Sequence, residues 1–184
     1  MDICSFLSKS YTAYHAVRHS VFILEKNGFC ELDLADAWKL QKGEKYYVTK
    51  NGSCVIAFVV GDNFAFNIAG SHTDSPSLHV KGNELIDSCE GKRVNVEKYG
   101  GPILYSFIDA PLKIAGRIVE KHDGKLVQKV VESDYFVTIP SLAIHHNPTV
   151  NDGFSVSVQK DMLPLLGDAK DVYSTLTSDN VVDA

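Results

Sequence analysis

Apolar residues at the start of the chain recur at helical spacing. Ile3, Phe6 and Leu7 predict a short opening helix, and Tyr14, Val17, Val21 and Leu24 predict a second, longer one, since residues three and four apart share a helix face. Thr12 is placed to cap the second helix, its hydroxyl accepting from a backbone N–H that the helix leaves unpaired. Asn27-Gly28 is a suitable stop, because glycine takes the left-handed cap conformation at little cost. Residues 29–40 read as a connection carrying the only tryptophan, Trp38. Tyr46 to Thr49 and Ser53 to Val60 then flank Asn51-Gly52, a strong hairpin signal. Phe64 to Ala69 predicts a further strand, which delivers the chain to His72.

After Lys81 the pattern changes. Gly82 to Gly91 is polar and reads as a crossing loop. Arg93 to Glu97, Ile103 to Ile108, Leu112 to Lys121 and Lys125 to Val131 read as strands, with a turn at Tyr99-Gly100-Gly101-Pro102 and a hairpin turn at Asp123-Gly124. Short strands between frequent turn signals make this half mostly β. The expected fold class is α/β, with a domain boundary near Gly82 that gives domains 1–82 and 83–184.

Composition narrows the picture. A chain of 184 residues can bury one good core or two small ones. Its hydrophobic content of 45% and charged content of 22% are those of an ordinary globular protein. A net charge of −5 argues against a nucleic-acid partner. Cys4, Cys30, Cys54 and Cys89 are widely spaced and form no Cys-x-x-Cys, so they read as thiols of a reducing compartment. No basic start followed by a long apolar stretch is visible, and the longest clean apolar run, Cys54 to Val60, falls far short of the ~20 residues a spanning helix needs. The expectation is a cytoplasmic protein with no membrane partner.

The candidate chemistry centres on Gly70-Ser71-His72-Thr73-Asp74-Ser75-Pro76. Side chains two apart on an extended chain point the same way, so His72 and Asp74 share one side. A neutral imidazole is the commonest metal ligand, and a neighbouring carboxylate fixes its tautomer. The same pair also fits a loop whose aspartate caps a turn. His15 and His19, four apart on the predicted helix, could face one metal, but no His-Glu-x-x-His accompanies them. In the pair His145-His146, the residues alone suggest a strand-end histidine satisfied by backbone.

Ala69 to Lys81 resembles the signature of the aspartyl aminopeptidases, the co-catalytic metallopeptidases of family M18, where the segment reads Gly-(Ser/Ala)-His-Thr-Asp-Ser-Pro-x-Leu-x-Val-Lys. The resemblance continues through His15-Ala16-Val17, Gly28-Phe29, Trp38 and Gly43-x-x-Tyr46. Further on it takes in Tyr99-Gly100-Gly101, Asp109, Leu112, Ala115-Gly116-Arg117, Ile139 to His145 and Gln159 to Pro164. It departs at Ser10-Tyr11-Thr12-Ala13, where the family has prolines, and at Ala110, where the family has an arginine after the aspartate. The resemblance implies part of a three-layer α/β metallopeptidase catalytic domain followed by a β-rich dimerisation domain. It implies a peptide substrate hydrolysed at an N-terminal, often acidic, residue, and two divalent metal ions, expected to be zinc although such sites also accept manganese or cobalt. It makes His72 a metal ligand and Asp74 the catalytic-site carboxylate that holds an imidazole. It makes His145 a substrate-binding residue reaching into a neighbouring subunit of a homo-oligomer, a dimer or a larger shell. The family's other ligands and its adjacent acidic pair lie in a later segment, and this sequence has no two adjacent acidic residues. The chain therefore reads as an N-terminal portion, inactive alone. The alternative expectation is an assembly module without catalysis.

Overall fold

The computed structural model describes residues 2–63, 65–177 and 181–183. The chain divides into two units between Ser75 and Pro76.

In the first unit, α1 (Ile3–Leu7) is capped by Asp2, whose carboxylate accepts from Ser5 N. The second helix, α2 (Ala13–Lys26), starts at Thr12 as expected, with Thr12 Oγ1 accepting from His15 N. It stops at Asn27, and Gly28 follows at φ +80°. Then come β1 (Cys30–Glu31), β2 (Lys45–Lys50) and β3 (Cys54–Val59), in the order β1-β2-β3. β1 and β2 are parallel, whereas β2 and β3 form the expected hairpin, with Lys50 opposite Cys54. Asn51 and Gly52 both take positive φ in its turn. The apolar face of α2, through Ala16 and Val17, packs on this sheet, where Tyr47 and Val48 are buried. The Tyr47 hydroxyl donates to Glu25 Oε1 at 3.0 Å and ties strand to helix. Burial, reinforced by that carboxylate, pushes the Tyr47 phenol up to about 12.

The expected strand over residues 64–69 is not formed at residues 65–69, and Phe64 lies outside the described residues. A strand exists only where a neighbour takes its backbone groups. Among the described residues no strand is laddered to 65–69, and Phe66 and Ile68 are exposed.

In the second unit, β4 (Ser77–Ser88) and β5 (Gly91–Tyr99) form a long antiparallel hairpin, and β8 (Leu165–Gly167) lines the other edge of β5. The expected loop from Gly82 to Gly91 is instead mostly strand. The register shifts between Val80 and Leu85, and Asn95 Nδ2, nearly buried, donates to the backbone and side-chain oxygens of Asn83, both at 2.9 Å. That bulge absorbs the polar residues, and Leu85 and Ile86 still reach the core. β4 runs unbroken through Gly82, and the unit boundary falls upstream of it. Gly91 sits at φ +111° with the position of a Cβ only 3.0 Å from Gly167 O, so the hairpin end and β8 approach as closely as glycine permits.

A second sheet pairs β6 (Ala115–His122) with β7 (Lys125–Glu132) and with β9 (Val181–Asp183), in the order β7-β6-β9. Asp123 and Gly124 make its two-residue turn, both at positive φ. Ile103 to Ile108, expected as a strand, contains a single 3-10 turn at Leu104–Phe107. There Ser106 donates to Ile103 O through both N–H and hydroxyl, a local alternative to a ladder. Leu112 precedes β6 and makes an isolated bridge to Val137. The core comprises Val94, Val96, Ile114, Val137, Leu163 and Val172. A single helical turn, α3 (Val158–Asp161), leads into buried Met162 and Leu163.

Among the described residues one carboxylate is fully enclosed. Glu120 has no exposed surface, and its carboxylate accepts from Lys129 Nζ, from Thr177 Oγ1 at 2.8 Å and meets His122 Nε2 at 3.1 Å. The Lys129 ammonium holds this carboxyl down to about 2, with His122 and Thr177 adding to the effect against burial. Paired and hydrogen-bonded, the charge is tolerable where an isolated one would not be.

Candidate functional site

Residues 70–75 adopt no regular element, and Thr73 anchors them to the preceding hairpin. Thr73 Oγ1 donates to Ser53 O at 2.8 Å, so the end of the β2–β3 hairpin holds the middle of the His-Thr-Asp triplet. With Thr73 turned to the hairpin, its neighbours meet on the other side. His72 Nδ1 lies 3.0 Å from Asp74 Oδ1. The imidazole side chain is 89% exposed and the carboxylate 37%. A ring nitrogen facing a carboxylate acceptor carries the proton, so Nδ1 is the donor in the neutral ring and Nε2 keeps its lone pair. An oriented imidazole with a free Nε2 is the donor that a zinc-type ion takes.

The pair fits one corner of a metal centre. Among the described residues no group of three or more His, Cys, Asp or Glu side chains is placed to hold an ion, and a bound zinc takes about four ligands. Other donors must complete any site that uses His72.

His145 belongs to the second unit and is exposed, in a turn where His146 N donates to Ala143 O at 2.8 Å. His15 and His19 do not form a metal pair. His15 is buried, with Nδ1 2.8 Å from Thr12 Oγ1, and His19 Nε2 lies 3.2 Å from Lys9 O.

Two features escape a reading of the sequence. The Thr73–Ser53 contact spans 20 positions, and its only local signal is a hydroxyl between the two site residues. Asp109 takes φ +57° and its Oδ1 accepts from Ser141 N at 2.9 Å. Hydrogen bonds from Ser141 hold its carboxyl below the usual range. Aspartate is among the few residues that tolerate this backbone region, which is a weak hint at best without the structure.

A family model described as aminopeptidase I zinc metalloprotease (M18) matches residues 6–181. The chain is 42% identical over 180 residues to "Probable M18 family aminopeptidase 2" of Clostridium novyi (strain NT), covering 94% of this chain and 42% of that protein. It is 39% identical over 172 residues to the aspartyl aminopeptidase of Dictyostelium discoideum, covering 90% of this chain and 36% of that protein. Among solved structures, the cryo-EM structure of the Ape4 and Nbr1 complex superposes with a TM-score of 0.82 at 34% identity, over 98% of this chain and 36% of that one. The S. cerevisiae mApe1 dodecamer superposes with a TM-score of 0.71 at 26% identity, over 90% of this chain and 37% of that one. The chain thus spans about two-fifths of the length of the curated relatives it matches.

Proposed function

Because the chain belongs to the M18 family of aminopeptidase I zinc metalloproteases, we propose that it is the N-terminal part of a metal-dependent aminopeptidase and that His72 is one of the enzyme's metal ligands. The observation that carries this reading is the His72 Nδ1–Asp74 Oδ1 contact of 3.0 Å on an imidazole that is otherwise open. Asp74 fixes the tautomer of the ring, so that Nε2 is the atom that binds. A pair of divalent ions, when bound, polarises the scissile carbonyl and supplies hydroxide at neutral pH. The residues of this chain contribute a ligand and its orientation, with zinc as the expected ion and the remaining ligands and general base coming from a later segment. His145 contacts the substrate of a neighbouring subunit in a homo-oligomer, and the substrate is a peptide with an N-terminal, acidic residue.

In this reading the first unit is part of a three-layer catalytic domain and the second a β-rich dimerisation domain. Exposed apolar side chains in the first unit support the first half of that assignment. Ile56, Val59, Phe66 and Ile68 are all exposed, Phe66 at 75% and Ile68 at 89%, a concentration expected where another element packs. Among the described residues no helix is long and apolar enough to cross a membrane. The alternative, an assembly module without catalysis, is favoured by one observation: the described residues alone place no three metal donors together.

The two readings separate on His72→Ala in the protein extended by the rest of its reading frame. Metal content by emission spectroscopy and peptidase activity should fall together. Full metal stoichiometry with activity retained would remove His72 from the site.

A further inference from the structure

Resting on the reading of His145 as a substrate-contacting residue, we propose that Asp109 is the positioning residue that fixes where the His145 segment leaves the core of the second unit. The geometry is a two-point clamp around Pro140. Asp109 N–H donates to Ile139 O at 2.9 Å, and Asp109 Oδ1 accepts from Ser141 N–H at 2.9 Å. Pro140 has no N–H of its own, so Ser141 offers the first backbone donor after Ile139. One residue reaches both flanks because its backbone turns left-handed, at φ +57°.

The clamp sits at the last well-anchored point before His145. Ile139 and Val137 are buried, Ile108 bridges Ile139, and Leu112 exchanges hydrogen bonds with Val137 in both directions at 2.9 Å. On the other side, Leu165 N donates to Thr138 O at 2.9 Å. Beyond Ser141 this support ends. Among the described residues, no hydrogen bond from 142–145 reaches another element; those present close the local turn, from His146 N and Asn147 N back to Ala143 and Ile144. The direction in which the chain leaves Ser141 therefore governs where His145 is carried. Ala110, next to Asp109, has no side chain long enough to brace the same loop, so that work falls on the Asp109 carboxylate.

The test uses Asp109→Gly, which admits the left-handed backbone but removes Cβ and the carboxylate, Asp109→Ala, which removes the carboxylate and keeps Cβ, and Asp109→Asn, which keeps both the backbone tolerance and an acceptor oxygen. Amide hydrogen exchange followed by NMR on this chain should show Ser141 exchanging roughly three- to tenfold faster in the glycine and alanine variants, the scale of one exposed hydrogen bond, with β6 and β7 unchanged and the asparagine variant close to wild type. In the extended enzyme the glycine variant should lower kcat by a comparable factor at unchanged KM and metal content, with asparagine restoring most of it. Unchanged Ser141 exchange in the glycine or the alanine variant overturns the clamp. Faster exchange with unaltered kcat, while His145→Ala lowers kcat, overturns the positioning role and leaves the His145 assignment standing. If His145→Ala leaves kcat untouched, the reading of His145 fails and the link from Asp109 to turnover fails with it.

Discussion

Asp74→Ala and Asp74→Asn probe the one contact on which the functional reading depends. Removing a carboxylate that orients a metal-bound histidine costs about 10- to 100-fold in metal affinity or activity. The structure decides which end of that range applies. The Nδ1–Oδ1 distance of 3.0 Å is that of an ordinary hydrogen bond, and the carboxylate side chain is 37% exposed beside a ring that is 89% exposed. Water screens such a pair and competes for Nδ1, so Asp74→Ala should weaken zinc binding by about 10-fold, toward the low end of that range. Asp74→Asn keeps an acceptor oxygen for Nδ1–H while removing the charge, so its loss should be smaller. The assay is a competition titration of zinc against a chelator on the extended protein, with initial rates on an N-terminal aspartyl substrate in parallel. The order wild type, asparagine, alanine should appear in both columns. Equal zinc affinity for all three proteins would mean that Asp74 does not hold the ligand. A loss in rate without a loss in affinity would move Asp74 from orienting the ring to acting on the substrate.

Tyr47→Phe deletes the hydrogen bond to Glu25 and should lower stability in urea unfolding by about 1 kcal/mol. The raised phenol adds a pH signature: stability held by the neutral hydroxyl is complete below the ordinary tyrosine value of 10.0 and is lost as pH rises through about 12. The difference between wild type and Tyr47→Phe should therefore shrink across that window, and a constant difference would show that the phenol is not perturbed. Glu120 carries the opposite sign. Its depressed carboxyl contributes stability above the unfolded value of 4.5 that disappears as pH falls through about 2. Glu120→Gln should be less stable at neutral pH and show a flatter acid limb in thermal melts, whereas a parallel limb would refute the assignment.

Local signals in this sequence translate well because the physics that decides them is local. Thr12 caps α2, Gly28 closes it, and Asn51-Gly52 and Asp123-Gly124 turn hairpins; each outcome is settled within a few residues by backbone sterics and one hydrogen bond. The contact between His72 and Asp74 is legible for the same reason, since residues two apart on an extended chain share one side. What stayed hidden depends on residues far away in sequence. Residues 82–88 look like a loop by polarity, but Asn95 supplies the partner that lets Asn83 sit in a strand.

The segment 65–69 gives the converse case, and it bears on function. Its pattern predicts a strand, yet Phe66 and Ile68 stand exposed and outside any strand ladder leading up to the site. Exposed apolar side chains gathered in one segment mark a place where another element or partner packs. His72 follows directly on this run, and the Thr73–Ser53 bond ties its triplet to the hairpin. The described residues leave Ile68 uncovered, and they do not supply the further donors that a metal centre using His72 needs.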